Sequence, residues 1–264
     1  MPDFTASDGT RLHFTDQGEG ETLLLLHGLG SSGLDWEHQI AHFASRYRVI
    51  ATDIRGHGQS AVPDEGFSIE RFGRDQVELI EQLGLAQVHV IGISMGGAVA
   101  FQVAADTPNR VASLCIVNSG PTAKTRDPRI LFALWLRKLL ARFGGPAKTA
   151  PMVAEKLFPG EEMAALRATF IERVSRTDPV AYRKSLNALL RFDLEHRLGE
   201  LAMPTLFLCA EYDYMPPASK QVYVDAMPNA RLEIVPGTRH GLPIEAPALF
   251  NAALDKFLEA NRDG

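Results

Sequence analysis

Short apolar runs alternate with segments of helical spacing over the first 120 residues. Phe4 to Asp16 alternates apolar and polar positions around Asp8-Gly9, which predicts an antiparallel hairpin. Thr22 to His27 is a short run with no polar interruption until its last residue, the mark of a strand buried on both faces. Leu34 to Arg46 then has helical spacing, Tyr47 to Asp53 reads as a strand, Ile69 to Leu83 as a helix, and Val88 to Ile93 as a strand. Met95 to Asp106 predicts a helix and Val111 to Asn118 a further strand. Such alternation indicates an α/β fold, a mostly parallel central sheet with helices on both faces.

After Pro121 the alternation stops. The pattern is helical through Leu198, with breaks at Gly144-Gly145-Pro146, Pro159-Gly160 and Pro179. Strands resume at Thr205 to Cys209 and Arg231 to Val235, and a helix from Pro247 to Ala260 closes the chain. The expected organisation is therefore a core domain from residues 1–120 and 199–264, interrupted by a helical insertion at 121–198. Charge sets the insertion apart: residues 121–199 hold 15 Lys and Arg against 8 Asp and Glu, leaving 12 against 24 for the rest. Solvated helix faces account for that asymmetry; a field that draws in anionic substrates is the sharper alternative.

With 264 residues the chain can bury a substantial core, and its net charge of −5 argues against nucleic acid as a partner. Two cysteines, Cys115 and Cys209, lie in apolar runs and read as inert buried thiols. Met1-Pro2-Asp3-Phe4 does not open a basic-then-apolar leader, and no run has the length of a membrane span. The expectation is a cytoplasmic protein with no membrane partner; the oligomeric state stays open, a homo-oligomer included.

Chemistry enters at Val90-Ile91-Gly92-Ile93-Ser94-Met95-Gly96-Gly97, where an apolar strand runs into a serine flanked by glycines and then into a helix. Ser94 is either a helix cap or the nucleophile of a G-x-S-x-G elbow, whose sharp strand-to-helix turn exposes the hydroxyl above the sheet. A serine hydroxyl is a weak nucleophile until a base takes its proton, so the second reading demands a histidine and an acid elsewhere. Open parallel sheets gather functional side chains beyond the carboxyl ends of their strands. Asp213 follows the run Thr205 to Cys209, and His240 follows Leu232 to Val235. Both fit. Glu211 and Asp225 are rival acids, but Asp213 suits the loop position best. His57 reads as part of a turn, and histidine-carboxylate pairs such as Glu195-His196 lack metal-ligand spacing, so neither a metal nor another cofactor is expected.

With His27-Gly28-Leu29-Gly30, Asp53-Ile54-Arg55-Gly56-His57-Gly58 and the elbow in hand, the chain resembles the α/β-hydrolase superfamily over nearly its whole length. It is most similar to small carboxylesterases, enol-lactonases and ring-fission-product hydrolases. The resemblance implies a helical cap at the insertion, a triad of Ser94, Asp213 and His240, and an oxyanion hole from the backbone N–H groups of Leu29 and Met95. It implies a serine hydrolase acting on a small-molecule ester or lactone through an acyl-enzyme. Carbon-carbon hydrolysis is the alternative, although Ile93 stands where those hydrolases commonly carry asparagine. A slow ligand receptor on the same fold is another. Trp135, in the apolar stretch Leu131 to Leu136, is a candidate for lining the substrate pocket.

One motif competes. Gly28-Leu29-Gly30-Ser31-Ser32-Gly33 is a literal G-x-G-x-x-G after a strand and before a helix, with Asp53 twenty residues beyond it, as in an NAD-binding βαβ unit. Against it stand the preceding hairpin and His27, and it leaves Ser94, Asp213 and His240 unexplained. NAD binding is thus the weakest alternative.

Overall fold

The computed structural model describes residues 2–125 and 127–262. Eight strands form one sheet in the order β1-β2-β4-β3-β5-β6-β7-β8. They are β1 (Asp3–Thr5), β2 (Arg11–Gln17), β3 (Thr22–Leu26), β4 (Arg48–Thr52), β5 (Val88–Ile93), β6 (Val111–Val117), β7 (Thr205–Tyr212) and β8 (Ala230–Arg239). Strands β1 and β2 pair antiparallel, as the hairpin pattern predicts, and β2 joins β4 antiparallel. All later pairings are parallel.

The leucine run of β3 shows why this sheet is apolar on both faces. Successive side chains of a strand point to opposite sides. Leu23 and Leu25 enter one core with Trp36, Phe43 and Phe250, while Leu24 and Leu26 enter the other with Phe72 and Phe101. Helices α1 (Glu37–Phe43), α2 (Ile69–Gln82) and α3 (Met95–Asp106) cover the first half of the sheet. Helix α3 is buried almost all round, and its small residues let the sheet and α2 approach it closely. Cys115 and Cys209 are both buried and free, and burial pushes the Cys209 thiol up to about 12.

Between β6 and β7 the chain is helical, as its spacing predicts: α4 (Pro128–Leu157), α5 (Ala164–Ser175) and α6 (Pro179–Arg191). Asp127 and Asp178 cap α4 and α6 ahead of prolines in the first helical turn, where a missing N–H costs nothing. Gly145 interrupts α4 with φ 63°, within the expected glycine break. These helices rest on the loop that follows β3. Thr177 Oγ1 donates to the Gly30 carbonyl at 2.9 Å, and Arg173 donates to Glu37 at 2.9 Å and to Asp35 at 3.2 Å.

The remaining helices are α7 (Gln221–Asp225), α8 (Leu242–Glu245) and α9 (Pro247–Glu259). Two differences from the sequence pattern bear on function. The helix expected over Leu34 to Arg46 is a 3₁₀ turn from Gly33 to Trp36 followed by the shorter α1, with Ser32 accepting from the Leu34 N–H. Strands β7 and β8 also run three and four residues beyond their apolar stretches, because their backbones keep pairing after the side chains turn polar. Asp213 and His240 thus sit immediately after strand ends. Among the described residues, no helix is long and apolar enough to cross a membrane.

Candidate active site

Ser94 occupies a backbone conformation that L-residues seldom adopt, φ 55° and ψ −117°, at the junction of β5 and α3. Such a turn is possible only without side chains around it. A Cβ on Gly92 would lie 2.2 Å from the Gly96 carbonyl oxygen, and one on Gly96 would lie 2.1 Å from that of Leu26. The turn is held by the Ser94 N–H, which donates to Val117 at 3.0 Å, and by Ser119 Oγ, which donates to the Ser94 carbonyl at 2.6 Å. The Ser94 side chain makes no capping hydrogen bond. This removes the helix-cap reading.

The ends of β7 and β8 bring Asp213 and His240 together. His240 Nδ1 and Asp213 Oδ1 are 2.6 Å apart, with the carboxylate 3% and the imidazole 15% exposed. Because a carboxylate only accepts, Nδ1 carries the proton and Nε2 is left with its lone pair. The rival acids lie elsewhere: Glu211 accepts from the Gly237 N–H at 2.8 Å, and Asp225 accepts from Gln221 on α7.

Asn118 is a contributor that sequence reasoning missed. It follows β6 with φ 46°, its Oδ1 accepts from the Ala210 N–H at 2.8 Å, and its Nδ2 donates to the His240 carbonyl at 3.0 Å. One amide therefore ties β7, which leads into Asp213, to the segment that carries His240. An asparagine just after an apolar strand, where left-handed backbone suits it, was the available signal.

Met95 follows the serine directly, and Leu29 lines the same pocket as Ser94. Met95 opens α3 and Leu29 lies in the loop after β3, and among the described residues neither N–H has an acceptor. The Leu29 loop is fixed from below by His27, fully buried, whose Nδ1 donates to the Gly28 carbonyl at 2.7 Å while Nε2 accepts from the Ile54 N–H at 3.0 Å. His57 packs 5.2 Å from it, and among the described residues its buried Nε2 has no partner. Burial holds His27 down to about 4; burial and then the neighbouring His27 hold His57 down to about 3.

Both rings are therefore neutral in the folded chain, whereas the unfolded chain takes up their protons near pH 6.5. Stability from this pair is complete above pH 6.5 and falls as pH drops toward 4, at a limiting slope of about 1.4 kcal/mol per pH unit for each ring. Urea unfolding between pH 7.5 and 4.5 measures this. His57→Gln should flatten the slope by close to one proton, and an unchanged slope would contradict the neutral pair.

Ser94, His240, Gly28 and Leu29 share one pocket with Trp36, Phe158 and Phe170. The pocket is walled on one side by the sheet's loops and on the other by α4 and α5. Trp135 is not among its residues, which corrects the expectation from sequence: it is 55% exposed and stacks on Phe132 at 5.8 Å. From α4 the pocket takes Arg137, Val153 and Leu157, and Arg137 lies only two positions on from Trp135 but about 200° around the helix. An apolar stretch had drawn attention to the wrong face.

The dinucleotide fingerprint is present in its βαβ setting but engaged otherwise. Asp53 accepts from the Gly33 N–H and the Gln59 N–H, both at 2.7 Å, so each oxygen is already held by backbone. Tyr182 covers the loop so closely that a Cβ on Gly30 would lie 2.8 Å from its ring.

Comparison with known proteins agrees with this geometry. The family profile described as alpha/beta hydrolase fold matches residues 21–247. A protein of Caulobacter sp. (strain K31) named as the carbamate hydrolase RutD is 31% identical, with 94% of each chain covered. A non-heme haloperoxidase of Rhodococcus erythropolis is 29% identical over 98% of this chain and 100% of its own. Among solved structures, the enol-lactonase from Burkholderia xenovorans LB400 superposes with a TM-score of 0.89 at 25% identity, covering 98% of this chain and 100% of that one. The sheet order, the strained serine turn and a profile match spanning most of the chain converge on one assignment: the protein belongs to the α/β-hydrolase fold family.

Proposed function

We propose that the protein is a serine hydrolase that cleaves carboxylic esters or lactones of small molecules through an acyl-enzyme, with α4 to α6 as a cap over the site. The observation that carries this reading is the shared pocket: Ser94 on its strained turn faces the same cavity as His240, whose ring is held by Asp213. Ser94 Oγ attacks the carbonyl carbon as its proton passes to His240 Nε2. The resulting oxyanion is met by the Met95 and Leu29 N–H groups, aided by the amino-terminal dipole of α3. Collapse breaks the bond to the leaving oxygen, which takes the proton from Nε2. A water molecule, deprotonated by the same nitrogen, then attacks the acyl carbon and releases the acid and free Ser94. Asp213 keeps the ring in the required tautomer and stabilises the imidazolium.

The match to a carbamate hydrolase keeps carbamates within the substrate range, since the same attack on a carbonyl serves them. A panel of acetate and butyrate esters, five- and six-membered lactones, carbamates and vinylogous diketones, run on one preparation, tests the reading. Hundreds of turnovers on an ester or lactone are expected. Cleavage of the diketones alone would replace it with carbon-carbon hydrolysis. Failure to exceed one turnover on any of them would leave a ligand receptor.

A further inference from the structure

A second cavity in the helical segment adjoins the Ser94 pocket, and the two share Arg137, Val153 and Tyr214 in their walls. Its polar lining is cationic. Arg129, Arg137 and Lys156 face it, and among the described residues no carboxylate does. Among the described residues, none of these three cations pairs with an acid. Lys138, Arg142 and Lys148 of α4 likewise have no acid partner among the described residues, whereas Arg167 of α5 pairs with Glu155 and Arg176, just after α5, pairs with Glu172. The one acid in the wall of the Ser94 pocket, Asp35, is already engaged by Arg173 and by Ser31.

Arg137 is also held in place. Its Nε and Nη2 both donate to the Tyr182 hydroxyl, at 3.1 and 2.8 Å, and the guanidinium carbon lies 5.7 Å from the centre of that buried ring. A neutral phenol fixes the group without cancelling its charge. Nη1 has no acceptor among the described residues. A guanidinium that is rigid, without a counter-charge and placed where two cavities meet is preorganised to receive a carboxylate.

We infer that Arg137 is the substrate-carboxylate subsite: the substrate is an ester or lactone that carries a free carboxylate, which Arg137 binds while the scissile carbonyl lies at Ser94. Arg129 and Lys156, at the outer part of the cavity, raise the local concentration of such anions. This assigns the excess positive charge of the helical segment to a specific place. The inference rests on the hydrolase reading for the position of the carbonyl, so its test has one arm that requires no turnover.

In the first arm, kcat/KM is measured for two matched pairs, 4-nitrophenyl hydrogen glutarate against 4-nitrophenyl pentanoate, and 4-carboxyphenyl butyrate against phenyl butyrate. In wild-type protein one pair should favour the anion, and the pair that does so identifies the side of the ester bond that carries the carboxylate. Arg137→Met should lower that preference about 10- to 100-fold, the scale of a charged hydrogen bond, and Arg137→Lys should restore part of it. The preference should also shrink between 50 and 500 mM salt, less steeply in an Arg129→Gln/Lys156→Gln variant. In the second arm, calorimetry follows glutarate binding to Ser94→Ala protein with and without Arg137→Met. Glutarate binding that depends on Arg137, without turnover of any ester, would sink the hydrolase reading and keep the subsite. Equal preferences in wild type and Arg137→Met, with glutarate binding absent or insensitive to Arg137, would overturn the subsite.

Discussion

Ser94→Ala is expected to lower kcat on a butyrate ester by about a million-fold, the scale seen when a triad nucleophile is removed. The fold should survive, because the Ser94 hydroxyl caps nothing and its turn is held by backbone groups that alanine retains. Thermal unfolding of the variant should therefore nearly match wild type, separating loss of chemistry from loss of structure. A fluorophosphonate should label wild-type protein at Ser94 and leave the variant unlabelled. Activity within a hundredfold of wild type, or labelling of another serine, would move the nucleophile elsewhere.

Asp213→Asn should cost about ten thousand-fold in kcat, the effect of leaving a catalytic histidine in the wrong tautomer. The reason is specific to the 2.6 Å contact with His240 Nδ1. An amide offers a donor as readily as an acceptor, and a donor facing Nδ1 would drive the ring proton to Nε2, where the base must be free. Glu211→Gln is the informative control: two residues away, its carboxylate holds only the Gly237 N–H, and an amide oxygen can accept that bond too. Its kcat should stay within a few-fold of wild type. Comparable losses from the two substitutions would contradict the assignment of Asp213.

Much of this was legible in the chain because two strong patterns agreed. Apolar runs bounded by glycine and proline located six of the parallel strands, and chemistry-bearing residues fell at their carboxyl ends. Ser94, Asp213 and His240 could be nominated that way because each follows a strand whose register the apolar run sets. What could not be read depends on side chains brought together across long separations. Asn118 touches Ala210 and His240, about 92 and 122 positions away, and no local pattern encodes such a contact. Arg137 was hidden for another reason: in a 30-residue segment with a weak apolar stripe, the face that meets the site is decided by how α4 packs on α5 and α6. Trp135 was conspicuous by size, and Arg137 mattered by orientation. The fingerprint at Gly28 to Gly33 carries the converse lesson, since its glycines serve close packing under Tyr182 and the hydrogen bonds of Asp53.

The left-handed backbone at Ser94 sets function against selection for robustness. A non-glycine residue held at φ 55° costs about 1–3 kcal/mol, a sizeable fraction of the net stability of an ordinary domain. Glycine would relieve that strain at no other structural loss, because the hydroxyl supports nothing in the fold. A randomised library screened only for resistance to heat should therefore enrich glycine at position 94, and each such survivor would be inert. On the mechanism proposed above, serine persists at that turn only where turnover itself is selected, so the sequence there would record a demand that folding alone would erase.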